Sequence, residues 1–151
     1  MAPAALPSAP VQCVIFRVGR TLQALPIDDV REILVPGSLT PSPGAPPHVL
    51  GLTQVRGNAV PVIDLAARLG LGHAETSPDR RLIVVSAGKG AAALLVDAVE
   101  EVTTARPEEF ELVRIPGAAL RVVLKHRDEL VGWLMSAELV EPGQEREALA
   151  A

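Results

Sequence analysis

At 151 residues, with a formal net charge of -4 and a pI near 5.4, the chain lacks the basic surplus that a nucleic-acid binder needs to displace counterions. Hydrophobic residues make up 48% of it, enough to bury a substantial core and too many for a globally disordered chain. The aromatic residues are Phe16, Phe110 and Trp133, too scattered for a base-stacking platform.

Cys13 is the single cysteine, so no internal disulfide can form. The N-terminal residues carry neither a basic segment nor an apolar run of signal-peptide length. No stretch reaches the roughly 18–20 apolar residues of a membrane span. Cytoplasm is the expected location.

Residues 1–10, proline-rich and small, read as a flexible leader. Residues 11–18 are rich in β-branched side chains and predict a strand, Gly19-Arg20 a turn, and residues 22–27 the return strand. Asp28 stands at an N-cap position, and Val30, Ile33 and Leu34 follow at helical spacing. That predicts a short amphipathic helix over 29–34, stopped by Pro36-Gly37. Pro36, Pro41, Pro43, Pro46 and Pro47 make the next segment an extended surface connection. Strands are expected at 49–55 and 59–63 around the polar turn Arg56-Gly57-Asn58. A helix follows at 65–69, capped by Asp64 and closed by Gly70. Residues 72–80 are polar and predict a linker at the junction of two subdomains.

The second half repeats the β pattern. Strands are expected at 82–86 and 91–96 around Gly88-Lys89-Gly90, then at 99–104 after a bend at Asp97. Residues 106–118 read as irregular. Residues 120–125 and 130–135 form a further hairpin around Arg127-Asp128, Ser136 caps a last helical turn, and 141–151 are a flexible tail. Many short strands with glycine turns predict a mainly β fold, barrel or sandwich. Residues 82–86 and 92–96 are apolar on both faces rather than alternating. Two barrels packed together, burying strands from both sides, account for that pattern.

Catalytic constellations are missing from the pattern. His48, His73 and His126 are scattered without metal-ligand spacing and read as surface or loop residues. Residues 86–90 (SAGKG) lack the leading glycine of a phosphate loop and a hydroxyl residue after Lys89, so they read as a hairpin turn. Asp64 reads as a helix cap rather than a catalytic acid. Glu100-Glu101 and Glu108-Glu109 are adjacent pairs whose members point to opposite faces of a strand, as solvated edges do. Arg56, one residue before a glycine at a hairpin tip, is either a solvated turn residue or a donor fork displayed toward a partner. No catalytic, metal or cofactor site is expected.

These residues resemble the CheW-like domain family, the coupling proteins of bacterial chemotaxis. Val14-Ile15-Phe16-Arg17-Val18-Gly19 resembles its first strand, and residues 27–34 (IDDVREIL) its I..V.EI helix. Residues 43–51 (PGAPPHVLG) match its PgaP..v.G segment, and Val55-Arg56-Gly57 with residues 60–65 (VPVIDL) its lRG..vPvvDL signature. Val96-Asp97-Ala98-Val99 resembles the vD.V that recurs in the second half. The resemblance runs from about 11 to 140. Gln54-Val55 stand where the family usually has Asn-Leu, and the strand ending at Ser136 lacks the acidic residue often found before the closing helix. Both mark a divergent member.

The resemblance implies two SH3-like five-stranded β-barrels with short helices, sharing a hydrophobic seam. The first is expected at about 22–71 and the second at about 80–135, with the terminal segments crossing between them. It also implies an adaptor without enzymatic activity, bridging the cytoplasmic helical tips of chemoreceptors and the regulatory domain of a CheA-type histidine kinase. By carry-over, Val30, Glu32, Gly51 and Arg56 would face the receptor, with the hairpin of the receptor in the groove between barrels and Gly51 admitting close backbone approach. Leu39 and Leu50 would face the kinase. The alternatives are an adaptor that has lost one partner, a small β-barrel enzyme and a nucleic-acid-binding barrel. Pairwise pull-downs, a perturbed carboxylate in a pocket, and salt-dependent DNA binding respectively would mark them.

Overall fold

The computed structural model describes residues 6–140. The expected tail at 141–151 and the first half of the expected leader lie outside that range. Val11–Val18 (β1) and Thr21–Pro26 (β2) form a hairpin through the Gly19-Arg20 turn. Ile27–Asp29 make a single 3-10 turn, and Val30–Leu34 (β3) is a strand. Val49–Val55 (β4) and Asn58–Asp64 (β5) form the second hairpin, followed by the helical turn Leu65–Arg68 (α1). Arg81–Ala87 (β6), Gly90–Val96 (β7) and Ala98–Ala105 (β8) come next. After a 3-10 turn at Pro107–Glu109 come Phe110–Arg114 (β9), Leu120–His126 (β10), Glu129–Trp133 (β11) and Ser136–Leu139 (α2).

Three expectations are corrected. The helix expected over 29–34 is strand β3. Its burial alternates residue by residue, and it pairs antiparallel with β6, Ile33 opposite Ile83. A six-residue helix is marginal alone, and a ladder of backbone hydrogen bonds with β-branched Val30 and Ile33 outweighs the helical spacing. The irregular stretch 106–118 contains β9, paired with β10 from Arg114–Leu120 to Phe110–Leu124. Ser136 does not cap its own helix. The Asp29 carboxylate accepts the Ser136 N–H at 3.0 Å from the far end of the sequence, and Asp28 makes no cap.

The strands form a six-stranded sheet in the order β8-β1-β2-β11-β10-β9 and a five-stranded sheet in the order β3-β6-β7-β5-β4. The two-barrel expectation holds, with β9 as an additional edge strand of one barrel. The expected boundaries do not, because neither sheet is contiguous in sequence. Residues 13–33 align without a gap on 82–102, setting Gly19-Arg20 on Gly88-Lys89, Asp28 on Asp97 and Glu32 on Glu101. After each aligned hairpin the following strand crosses to the other barrel. β3 pairs with β6, and β8 pairs with β1. Each later hairpin also crosses, β5 lying parallel to β7 and β11 parallel to β2. Each barrel is therefore built from both halves of the chain, and the polar linker at 72–80 joins two repeats rather than two folding units.

This exchange explains the two-faced apolar strands. On β1, Cys13 and Ile15 point into the six-stranded barrel with Phe110, Leu124 and Trp133. The alternate residues Val14, Phe16 and Val18 point into a seam with Ile83, Val85, Leu94 and Val96. On β6, Leu82 and Val84 fill the five-stranded barrel with Val60, Val62 and Leu95. Phe110 and Trp133 meet edge to face, centroids 4.8 Å apart, in the geometry aromatic quadrupoles favour.

Cys13 is fully buried, and burial, then Glu101 and Glu109, push its thiol up from 9.0 to about 11. The folded protein should therefore resist thiol reagents at pH 8 and react once unfolded. A raised folded-state value stabilises the fold only below the unfolded one. Denaturation midpoints should accordingly fall as pH rises from about 9 to about 11; a native thiol titrating near 9.0 would contradict this.

Candidate protein-interaction site

The β4–β5 connection is a two-residue turn closed by the Val55–Asn58 pair. Arg56 and Gly57 both have left-handed backbones, φ 51° and 82°, as the twist of a tight hairpin demands. Glycine is at ease there, whereas a side chain costs about 1–2 kcal/mol. The Arg56 side chain is 78% exposed, and its guanidinium donates from Nε to Glu32 Oε2 at 2.9 Å and from Nη2 to Oε1 at 3.3 Å. The hydrogen bond and charge of Glu32 hold the guanidinium proton more tightly than in water. β3 and β4 are opposite edges of the sheet, so this fork spans the gap that backbone hydrogen bonds leave open. An exposed, solvent-screened pair of this kind adds little to stability.

Of the residues expected to form one surface, Arg56 and Glu32 meet. Val30, two positions along β3, is half-buried against the seam. Gly51 is buried, with φ 149°, and a Cβ there would stand 2.5 Å from the Thr40 carbonyl oxygen. The close approach that Gly51 permits is made by this chain's own Thr40, which exchanges hydrogen bonds of 2.8 and 2.7 Å with Leu52. That intramolecular contact gives Gly51 a structural requirement of its own. Leu39 and Leu50 are 44% and 38% exposed at this edge of the five-stranded barrel. A groove of about 540 Å³, lined by Ser38, Thr40, Leu52, Thr53, Gln54 and Ala59, runs between Leu39 and the Arg56 hairpin.

A larger groove, about 1000 Å³, is elsewhere. It lies between the β1–β2 turn, the linker from Leu71 to Asp79 and the start of β8, and contains none of the expected site residues. Two aspartates fasten that linker. Asp64 is 2% exposed and accepts the Ala67 N–H at 3.3 Å, as a helix cap, and the Ala74 N–H at 3.1 Å. Asp97 accepts the Gly19 N–H at 2.6 Å and the Glu75 N–H at 3.2 Å. The Asp64 oxygens are thus occupied by backbone donors. Asp64→Ala should lower stability by about 2 kcal/mol, read by urea denaturation, since it removes a cap and strands a buried donor; an unchanged midpoint would contradict it. Among the described residues no group of three or more His, Cys, Asp and Glu could hold a metal.

Glu100 and Glu101, expected to be solvated, are engaged. Glu100 pairs with Arg17 at 2.6 Å. Glu101 accepts from His126 at 2.8 Å and lies 3.4 Å from Arg127, and the His126 side chain is only 17% exposed. Sequence reasoning missed this second Arg–Glu contact, although the alignment of Glu32 on Glu101 marks it.

The profile of the CheW-like domain matches residues 12–141. The chain belongs to the CheW-like domain family. The chemotaxis protein CheW of Rhizobium meliloti is 33% identical over 144 residues, covering 91% of each chain. Protein FrzA of Myxococcus xanthus is 39% identical over 84 residues, 56% of this chain and 52% of that protein. The crystal structure of scaffolding protein TtCheW from Thermoanaerobacter tengcongensis superposes with a TM-score of 0.74 at 32% identity. It covers 82% of this chain and 88% of that one. The paired barrels are consistent with the CheW-like fold. No helix among the described residues is long and apolar enough to cross a membrane.

Proposed function

We propose that this chain is a cytoplasmic adaptor that couples chemoreceptors to a chemotaxis-type histidine kinase through protein contacts and performs no reaction. The observation that carries this reading is the Arg56–Glu32 fork, an exposed cation fixed by a two-pronged contact at a hairpin tip with a left-handed backbone. Arg56, Glu32 and the exposed flank of Val30 form the receptor-facing surface for the helical tip of a chemoreceptor, with apolar contact supplying affinity and the fork supplying orientation. Leu39 and Leu50 form a separate apolar edge for the regulatory domain of a CheA-type kinase. Similarity to proteins named for chemotaxis and scaffolding supports the adaptor role.

Arg56→Ala should weaken binding of a soluble receptor tip at the Arg56 surface by about tenfold. The melting temperature should stay within about 2 °C, because an exposed ion pair contributes little stability. A variant that binds normally, or one that unfolds, would remove Arg56 from the receptor surface. Gln54-Val55 next to Arg56 favours one second reading, an adaptor that keeps the kinase and has lost the receptor. Pairwise pull-downs against the two partners separate these readings.

A further inference from the structure

The constellation around Arg56 occurs twice. In the internal repeat Val99 stands on Val30 and Glu101 on Glu32, and both valines are half-buried against the same seam. Arg127 opens the two-residue β10–β11 turn, closed by the His126–Glu129 pair, as Arg56 opens its own. Its φ is 49° against 51° for Arg56, and its side chain is 76% exposed against 78%. Each guanidinium reaches the repeat-related glutamate on the edge strand of its own barrel.

The differences leave the second cation freer. His126 takes Glu101 at 2.8 Å, so Arg127 lies against that carboxylate at 3.4 Å where Arg56 has a two-pronged contact. Asp128 replaces Gly57 and is itself left-handed, φ 64°. Leu130 stands where the first hairpin has Ala59 and is 68% exposed. A turn selected only to close the barrel would carry asparagine and glycine here. Two strained side chains, a loosely held guanidinium and an exposed leucine together form a cation beside an apolar anchor. That pairing is complementary to a helix bearing a carboxylate and an apolar side chain.

We infer that the Arg127 hairpin tip is a second docking surface for the same helical partner, so that one chain holds two receptor tips, one on each barrel. The inference rests on the receptor-facing reading of Arg56. The test is a calorimetric titration of a soluble chemoreceptor helical-tip fragment into the full chain. Glycine variants suit it, because glycine removes the guanidinium and relieves the left-handed backbone together. The wild type should bind two fragments, Arg127→Gly and Arg56→Gly one each, and the double variant none, all with undiminished melting temperatures. Leu130→Ser should weaken one of the two sites at least threefold. A single-site isotherm for the wild type, or two sites retained in Arg127→Gly, overturns the inference. If Arg56→Gly alone abolishes binding, only the second surface falls; if neither glycine variant alters binding, the receptor-facing reading of Arg56 falls as well.

Discussion

Gly51→Val is expected to lower stability by about 3 kcal/mol or more, measured by urea denaturation. Its φ of 149° lies where a β-branched side chain is strained, which costs about 1–3 kcal/mol. The new Cβ would also stand 2.5 Å from the Thr40 carbonyl oxygen, where backbone rather than a flexible side chain must give way. Relief requires moving the proline-rich segment off β4. That breaks the Thr40–Leu52 hydrogen bonds and loosens the 3.0 Å bond from Thr53 Oγ1 to the Ser38 carbonyl. Those bonds also hold Leu39 in place. Any binding defect of Gly51→Val should therefore appear with a lowered melting temperature and reach the kinase as well as the receptor. A variant with wild-type stability and a defect confined to the receptor would place Gly51 in the receptor surface itself.

Phe16→Ala should cost about 3–5 kcal/mol, because a large side chain with no solvent exposure leaves a cavity that a close-packed seam only partly fills. Phe16 lies in the cluster shared by the two barrels, where Val85, Leu94 and Leu134 also pack. Since each barrel contains strands from both halves, the loss should appear as one cooperative transition shifted downward, not as one barrel melting ahead of the other. Two resolved transitions in calorimetry, or a shift below about 1 kcal/mol, would contradict the account of a single shared core.

Most strands could be read from sequence because their periodicity was undiluted. The apolar runs of β6 and β7 announced burial on two sides, and Asp64 announced its helix, since capping is a local effect. The failures have a common origin in long-range pairing. Val30, Ile33 and Leu34 satisfy helical spacing as well as they satisfy a strand, and only the distant β6 decides between them. β9 is hidden among Pro107, Glu108 and Glu109, and β10 reveals it. The exchange of strands between barrels leaves no mark in composition, so a polar linker reads as a boundary. At the site, Arg56 stands out by its place at a hairpin tip and Glu32 only by family resemblance, since spacing alone does not join a hairpin tip to a strand so far back in the chain. Glu101, His126 and Arg127 escaped because scattered charges were read singly instead of through the internal repeat.

The central claim is that this chain joins two proteins by surface contact. Sedimentation velocity on the full chain, mixed with a soluble receptor tip and a kinase regulatory domain, tests it most directly. The account predicts a ternary complex that forms only when the chain is present. The double variant Arg56→Gly/Arg127→Gly, with its fold intact, should drop the receptor tips from that complex and retain the kinase domain. A mixture in which the chain sediments alone, or in which the double variant still carries both partners, would contradict it.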